Sequence, residues 1–359
     1  MREGRAVVLE GFGAGMFVKN GQLLIKQGTT YSTEPDRSEL LVRGVHDVTD
    51  IIWITNGGAG SLSVAALKWC ASQNITVNIL TQRGDVLAVI HPTADAPEAL
   101  GVPGRSAHAG GRLAGTRPDV ALRRAQYALS PSGRDVAVAR ALMQRKIAAQ
   151  LQTAEQHTEL PNCERALIAT SAALDWLTAE PPPASLTTLL GIRMLEAKAA
   201  QGYFGAWIGL PLRVDPSART RWPVPWLTVA ERNSPLTRWH GPRNATNPGQ
   251  AMLNFAYTLL ESQMRQAPNV IGADIACGIL HADQPTRDSL VYDALEGLRG
   301  LVDDLMLTFW QQHVFSAGDC QANTAGVVQL HPTLRRVLVE TVRLPQRRVD
   351  DEARWLRSL

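Results

Sequence analysis

The chain has 359 residues, 45% of them hydrophobic and 19% charged, with a net charge of +3. That length accommodates roughly two domains with separate cores, and the composition is that of a folded globular protein rather than a disordered one. No run approaches the roughly 18 uninterrupted apolar residues of a membrane span, and Met1-Arg2-Glu3-Gly4-Arg5 lacks a signal peptide's apolar core, so a cytoplasmic protein with no membrane partner is expected.

Residues 1–92 read as a β-rich domain. Phe17 to Ile25 encloses Asn20-Gly21, which accept the positive φ angles of a type I′ turn and so predict a hairpin. Leu40-Val42, Ile51-Ile54, Ile75-Leu80 and Val86-Ile90 follow as short apolar strands, interrupted by one helix from about Ser61 to Ser72. Residues 93–117, rich in Ala, Gly and Pro without periodicity, read as a linker. From 118 to 359 the pattern is helical, with helices predicted near 119–129, 132–157, 163–180, 185–207, 248–267, 289–313 and 331–343. The segment 208–247 breaks that pattern with six prolines and with Trp222, Trp226 and Trp239; it reads as a long loop, and such loops are usually functional or disordered. The fold class is therefore α+β, a β-rich domain followed by a larger all-α one. Cys70, Cys163, Cys277 and Cys320 form no CxxC pair, which argues against a zinc ribbon and for a reducing compartment.

The small net charge hides a separation of signs. Residues 101–150 carry a net of +7 and residues 211–247 a net of +4, whereas residues 261–310 carry −5. Of 36 basic residues only five are lysines, and the arginine fork suits phosphate better than a lysine point charge. A high-GC genome is the alternative source of the arginine excess. An acidic site between basic surfaces suits a polyanion held over a metal.

Three places concentrate ionisable residues. Glu196 lies among small and apolar neighbours, Ala199 and Ala200, on a predicted helix; it is either a surface residue beside a packed stripe or a desolvated ligand. His281 follows an apolar run and precedes a turn, where a satisfied structural histidine is the plainer reading. Asp293 and Glu296, three apart, share one helix face with Arg299 three further on, and such pairs are often merely solvated. If Glu196, His281 and Glu296 converge, they form an oxygen/nitrogen/oxygen set suited to Mg²⁺ or Mn²⁺, able to polarise a phosphodiester and activate a hydroxyl.

Three motifs resemble those of one family, the CRISPR-associated integrase of the adaptation module, the universal endonuclease that inserts new spacers into CRISPR arrays. A pattern close to E-G-x-A-A-R-x-Y-F is matched by Glu196, Ala199, Ala200, Tyr203 and Phe204. An arginine followed by P-x-N-A-x-L-N-[YF]-x-Y is matched by Arg243, Pro248, Ala251, Leu253, Asn254, Phe255 and Tyr257. The longest, G-x-x-H-x-D-x-P-x-R-x-S-L-x-x-D-x-x-E-x-x-R, is met in full by Gly278, His281, Asp283, Pro285, Arg287, Ser289, Leu290, Asp293, Glu296 and Arg299. Ala197, Gln201 and Gln250 depart from the family residues at their positions, and none is a ligand.

The resemblance implies a β-sandwich domain for dimer and partner contacts and an α-helical catalytic domain. It makes Glu196, His281 and Glu296 the metal ligands, with Asp293 completing the catalytic group. Arg243, Asn254 and Tyr257 would lie near the site, as would Arg287 and Arg299, contacting phosphate or orienting ligands. The implied activity is metal-dependent DNA integration by a homodimer acting on an incoming duplex with 3′-hydroxyl ends and a target DNA, together with a small ferredoxin-like adaptation partner. Arg219, Arg221 and Arg238 are expected to contact the DNA backbone. Trp222 or Trp226 either stacks on an unpaired base or pins the loop to the helices. A stand-alone or transposon-type integrase and a non-catalytic DNA-binding scaffold are the alternatives. Transposon enzymes usually carry a further helix-turn-helix domain, for which the roughly 16 residues after Arg343 are too few.

Overall fold

The computed structural model describes residues 4–29, 38–55, 60–82, 84–90, 119–231, 244–265, 267, 271–284 and 287–359. The chain divides into two units, residues 1–116 and 117–359.

In the first unit the strands are β1 (Arg5–Glu10), β2 (Gly15–Lys19), β3 (Gln22–Lys26), β4 (Ser38–Leu41), β5 (Val48–Thr55), β6 (Ser61–Leu62), β7 (Thr76–Thr81) and β8 (Val86–Ile90), with helix α1 (Val64–Ser72) between β6 and β7. They form two four-stranded sheets, ordered β1-β5-β7-β8 and β4-β3-β2-β6. The predicted hairpin joins β2 to β3, with φ of 51° at Asn20 and 77° at Gly21. Alternate side chains from both sheets meet in one core: Leu9, Ile51 and Val77 from the first, Met16, Leu23, Ile25 and Leu41 from the second. Each such fully buried aliphatic side chain contributes about 1.5–3 kcal/mol. This is the expected sandwich with one difference, that β1, β5 and β7 run parallel. Helix α1 makes the crossover between β5 and β7 that a parallel pair requires. It adds Ala66, Trp69 and Cys70 to the core. Its start lies three residues later than the sequence implied, because Ser61 and Leu62 pair with β2 and Ser63 caps the helix through the Ala66 amide.

The second unit is built on helices α2 (Val120–Ala128), α3 (Asp135–Gln156), α4 (Cys163–Thr178), α5 (Leu189–Gly205), α6 (Pro216–Arg219), α7 (Pro248–Met264), α8 (Ser289–Gln312), α9 (Pro332–Val342) and α10 (Gln346–Ser358). Its centre is α3 against α8. Leu142, Met143 and Ile147 of α3 and Leu298, Val302 and Met306 of α8 are all buried. Gly300 allows the close approach, since a Cβ there would stand 2.5 Å from the Ala149 side chain. In its place Thr153 Oγ1 donates to the Gly300 carbonyl at 3.1 Å. The other faces of α3 hold α4 and α5, while α7 lies along α8.

Two elements add to the mostly helical second unit that the sequence implied. Residues Cys320–Ala322 (β9) and Val328–Leu330 (β10) form an antiparallel pair, too short to show as periodic strands. The charged tail folds as α10, whose Val349, Ala353 and Leu356 repeat at helical spacing and are buried. Within the segment 208–247, the described residues 208–231 are more ordered than a plain loop: Gly209 and Leu212 donate to the Val229 and Leu227 carbonyls, folding this stretch back on itself around α6. The predicted linker 93–117 and Trp239 lie outside the described residues. No helix among the described residues is long and apolar enough to cross a membrane.

Candidate active site

Three elements of the second unit supply the predicted ligands. Glu196 is on α5, Glu296 on α8, and His281 in the turn before α8. The turn is held by Asp293, one helical turn before Glu296 and fully buried at 0% exposure. Its Oδ2 accepts the backbone N–H groups of Ile279 at 2.5 Å and Leu280 at 3.1 Å. Its Oδ1 accepts the His281 N–H at 3.0 Å and lies 2.6 Å from His281 Nδ1. That ring nitrogen is therefore the protonated one, and Nε2 is left with its lone pair on the side of Glu296, 4.0 Å from Oε1. Gly278 is required where the turn folds back, because a Cβ there would come within 2.2 Å of the His281 carbonyl and 2.6 Å of Ser289 Cβ. From α5, Arg193 Nε donates to the Leu280 carbonyl at 2.7 Å and ties the same turn to the helix that carries Glu196.

Lys146 of α3 joins the two glutamates. Its Nζ stands 2.6 Å from Glu196 Oε1 and 2.8 Å from Glu296 Oε2, with Lys146 and Glu296 buried. Burial alone would raise the Glu296 pKa, but the Arg299 guanidinium and the Lys146 ammonium outweigh it and hold the carboxylate below its ordinary range. Arg299 NH2 lies 3.2 Å from Glu296 Oε1, and the guanidinium sits 4.9 Å over the Tyr257 ring. Tyr257 in turn donates to Asp303 Oδ1 at 2.5 Å, and Tyr203 to Asp303 Oδ2 at 3.1 Å. Burial pushes the Asp303 carboxyl up to about 7 against the two phenols and the cations that favour its ionised form.

The donors fit a divalent ion. Glu296 Oε2 is buried and has no well-aligned hydrogen bond despite the ammonium beside it, so an acceptor is left for a cation. Two carboxylates and one imidazole nitrogen suit Mg²⁺ or Mn²⁺. Among the described residues no three His, Cys, Asp or Glu side chains are already gathered in metal-binding geometry. His281 borders Glu296, while Glu196 reaches it through Lys146.

The predicted DNA contacts divide. Arg299 and Tyr257 are bonded inward, to Glu296 and Asp303. Arg287 spends its guanidinium on Ser289 Oγ at 3.2 Å and on the Ala282 carbonyl, bracing the His281 turn. Asn254 lies half-buried on α7, one turn before Tyr257. Arg219 and Arg221 are exposed on and beside α6. Arg238 and Arg243 lie outside the described residues. Trp222 is a correction: at 4% exposure it is packed 5.7 Å from the Phe315 ring and 5.9 Å from that of Trp226, so no base can stack on it. Trp226, 9% exposed, donates through Nε1 to the Thr246 carbonyl at 3.0 Å, and Asn247 Nδ2 bonds the Pro225 and Thr228 carbonyls at 2.9 Å each. Trp222 and Trp226 anchor residues 208–231 through the Phe315 ring and the Thr246 carbonyl.

Comparison with known proteins fits this arrangement. Residues 105–343 match the family described as "CRISPR associated protein Cas1". The chain belongs to the Cas1 family. It is 29% identical over 290 residues to the "CRISPR-associated endonuclease Cas1 2" of Rhodospirillum rubrum, a match covering 79% of this chain and 72% of that one. Among solved structures, a casposase bound to its integration product superposes with a TM-score of 0.70 at 20% identity, over 99% of this chain and 91% of the casposase. A chain of a Cas6-RT-Cas1–Cas2 complex superposes at 0.62 with 14% identity, covering 100% of this chain and 35% of that one. The Cas1-like fold thus extends over the described residues of both units.

The sequence had not marked Lys146, Asp303, Tyr203 or Arg193 as parts of the site. Tyr203 appeared only as a motif match, and Lys146 left a trace as one of five lysines in an arginine-rich chain, on the buried face shared by Met143, Ile147 and Gln150.

Proposed function

We propose that this protein is a divalent-metal-dependent DNA endonuclease and integrase of CRISPR adaptation, joining DNA 3′-hydroxyl ends to a target phosphodiester by transesterification. The observation that carries the reading is His281, fixed by Asp293 with Nε2 facing Glu296, beside a Glu196 that shares a cation with Glu296. Glu196, His281 and Glu296 would hold Mg²⁺ or Mn²⁺, which when bound supplies positive charge to the phosphoryl oxygens and lowers the pKa of the attacking hydroxyl.

The chain's own groups divide the remaining work. Asp293 sets the tautomer of His281, so the imidazole serves as a ligand and not as a base. Arg299 keeps Glu296 ionised, and Tyr257 and Asp303 hold Arg299 and the floor of the site in place. The exposed Arg219 and Arg221 would bind backbone phosphates, which gives affinity without reading sequence. A homodimer and a small ferredoxin-like partner fit the reading; a Cas6-RT-Cas1–Cas2 complex containing a similar chain supports a protein partner of the Cas2 kind. Action in the cytoplasm, on DNA, follows from the same assignment.

The test uses the full chain, a pre-cut duplex with free 3′ ends, a supercoiled target plasmid and Mn²⁺, alone and with candidate partners. Strand transfer is expected for the wild type and lost for Glu196→Ala and His281→Ala, with helix content unchanged. Integration by either variant at the wild-type rate overturns the ligand assignment. Plasmid nicking without joining identifies a plain nuclease.

A further inference from the structure

The Lys146 ammonium occupies the place where the two ligating carboxylates face each other. Its 2.6 Å contact to Glu196 is a charge-assisted hydrogen bond and its 2.8 Å contact to Glu296 an ion pair without hydrogen-bond alignment, and the side chain is buried on the inner face of α3. Two carboxylates brought this close in a desolvated site repel unless a cation stands between them. Arg299 does this only in part, because its guanidinium engages Glu296 Oε1 and the Tyr257 ring and acts on Glu196 through charge at longer range, with no ion pair to it within 4 Å among the described residues. The residue type also carries information. In a chain where only five of 36 basic residues are lysines, a lysine stands here. Arginine presents a rigid planar fork that grips carboxylates bidentately. Lysine presents a compact charge on a flexible four-carbon stem that can withdraw.

The count of charges points the same way. Lys146 and Arg299 offset Glu196 and Glu296, and the buried Asp293 carboxylate beside His281 adds further negative charge to the metal-free site. A divalent ion added with Lys146 still in place must share both glutamates with an ammonium already bonded to them.

We propose that Lys146 is a built-in placeholder for the metal: its ammonium holds Glu196 and Glu296 together in the metal-free protein and gives up those contacts when a divalent ion binds. The inference rests on the metal-dependent reading of Glu196, His281 and Glu296. Its consequence is that the helices α3, α5 and α8 stay assembled without metal, and that metal affinity is held below what the bare ligand set would give.

The test is Mn²⁺ binding to the full-length protein, followed by electron paramagnetic resonance, together with thermal unfolding with and without Mn²⁺. Lys146→Met keeps the stem and removes the charge. Mn²⁺ is expected to bind it about tenfold more tightly than wild type, because no cation has to be displaced. Its metal-free unfolding temperature should fall by several degrees and recover when Mn²⁺ is added. Lys146→Arg keeps the charge on a less yielding group and is expected to bind Mn²⁺ about tenfold more weakly. Unchanged or weaker binding by Lys146→Met overturns the inference. Should that variant unfold without metal, Lys146→Met combined with Glu196→Gln removes one charge of each sign. It should be more stable than the single variant, and equal instability of the two overturns the pairing. A wild-type protein that binds no Mn²⁺ refutes the metal reading itself.

Discussion

Asp303→Asn isolates the energetics beneath the site. Asp303 is fully buried on α8, accepts hydrogen bonds from Tyr203 and Tyr257, and is raised from an ordinary 3.8 to about 7 by burial. Below about pH 4 the carboxyl is protonated in folded and unfolded chains alike. Between about 4 and 7 the folded protein keeps a proton that the unfolded chain has released, so stability falls as pH rises; above about 7 the loss is complete. At roughly 1.4 kcal/mol for each unit of pKa, the gap between 3.8 and about 7 corresponds to about 4 kcal/mol. Asparagine is nearly isosteric and never ionises, so its stability relative to wild type should improve by about 3 kcal/mol between pH 5 and pH 8, the part of that gap lying between pH 5 and about 7. The other buried groups titrate equally in both proteins, and the difference cancels them. Hydrogen exchange of α8 amides, corrected for intrinsic rates, reads the local opening energy at each pH. A difference between variant and wild type that does not change with pH would refute the reasoning, since it would mean that Asp303 stays ionised throughout.

Two further outcomes follow from the site and the loop. Asp293→Asn replaces one carboxylate oxygen by a donor that faces backbone N–H groups or the His281 ring, so the turn loosens. Mn²⁺ affinity should drop by about ten- to a hundredfold with helix content retained, and unchanged affinity would remove Asp293 from its orienting role. Trp222→Ala opens a cavity against Phe315 and Trp226 and should cost about 3–5 kcal/mol, seen as faster proteolysis between 208 and 231. Trp222→Phe should lose far less. If DNA affinity fell in Trp222→Ala while proteolysis stayed at the wild-type rate, the pinning role would be wrong.

What the sequence made legible was what is encoded locally. The Asn20-Gly21 hairpin depends on two residues and one turn type, and the long helices on periodicity. Helix α10 escaped because its apolar set is thin, three residues among charges, although Val349, Ala353 and Leu356 keep the helical interval. Glu196, His281 and Glu296 stood out as candidate ligands only through the family motif, since their own neighbourhoods favoured plainer readings. Lys146 lies 50 positions before Glu196 and meets it only because α3, α5 and α8 pack together, a juxtaposition that no local pattern contains. Trp222 shows the converse. Aromatic and basic residues interleaved in a loop read as a nucleic-acid surface, yet packing against Phe315, far along the chain, decides that the ring faces inward.

The one-turn spacing of Asp293 and Glu296 also limits how this gene can change. An α-helix rotates about 100° per residue, so inserting or deleting a single codon between the two would swing one carboxylate off the shared face. It would also shift the register of every inward residue of α8 beyond that point, Leu298, Val302 and Met306 among them. The stretch from Gly278 to Arg299 should therefore vary by replacement alone. Gains and losses of length belong to segments that no ligand spans.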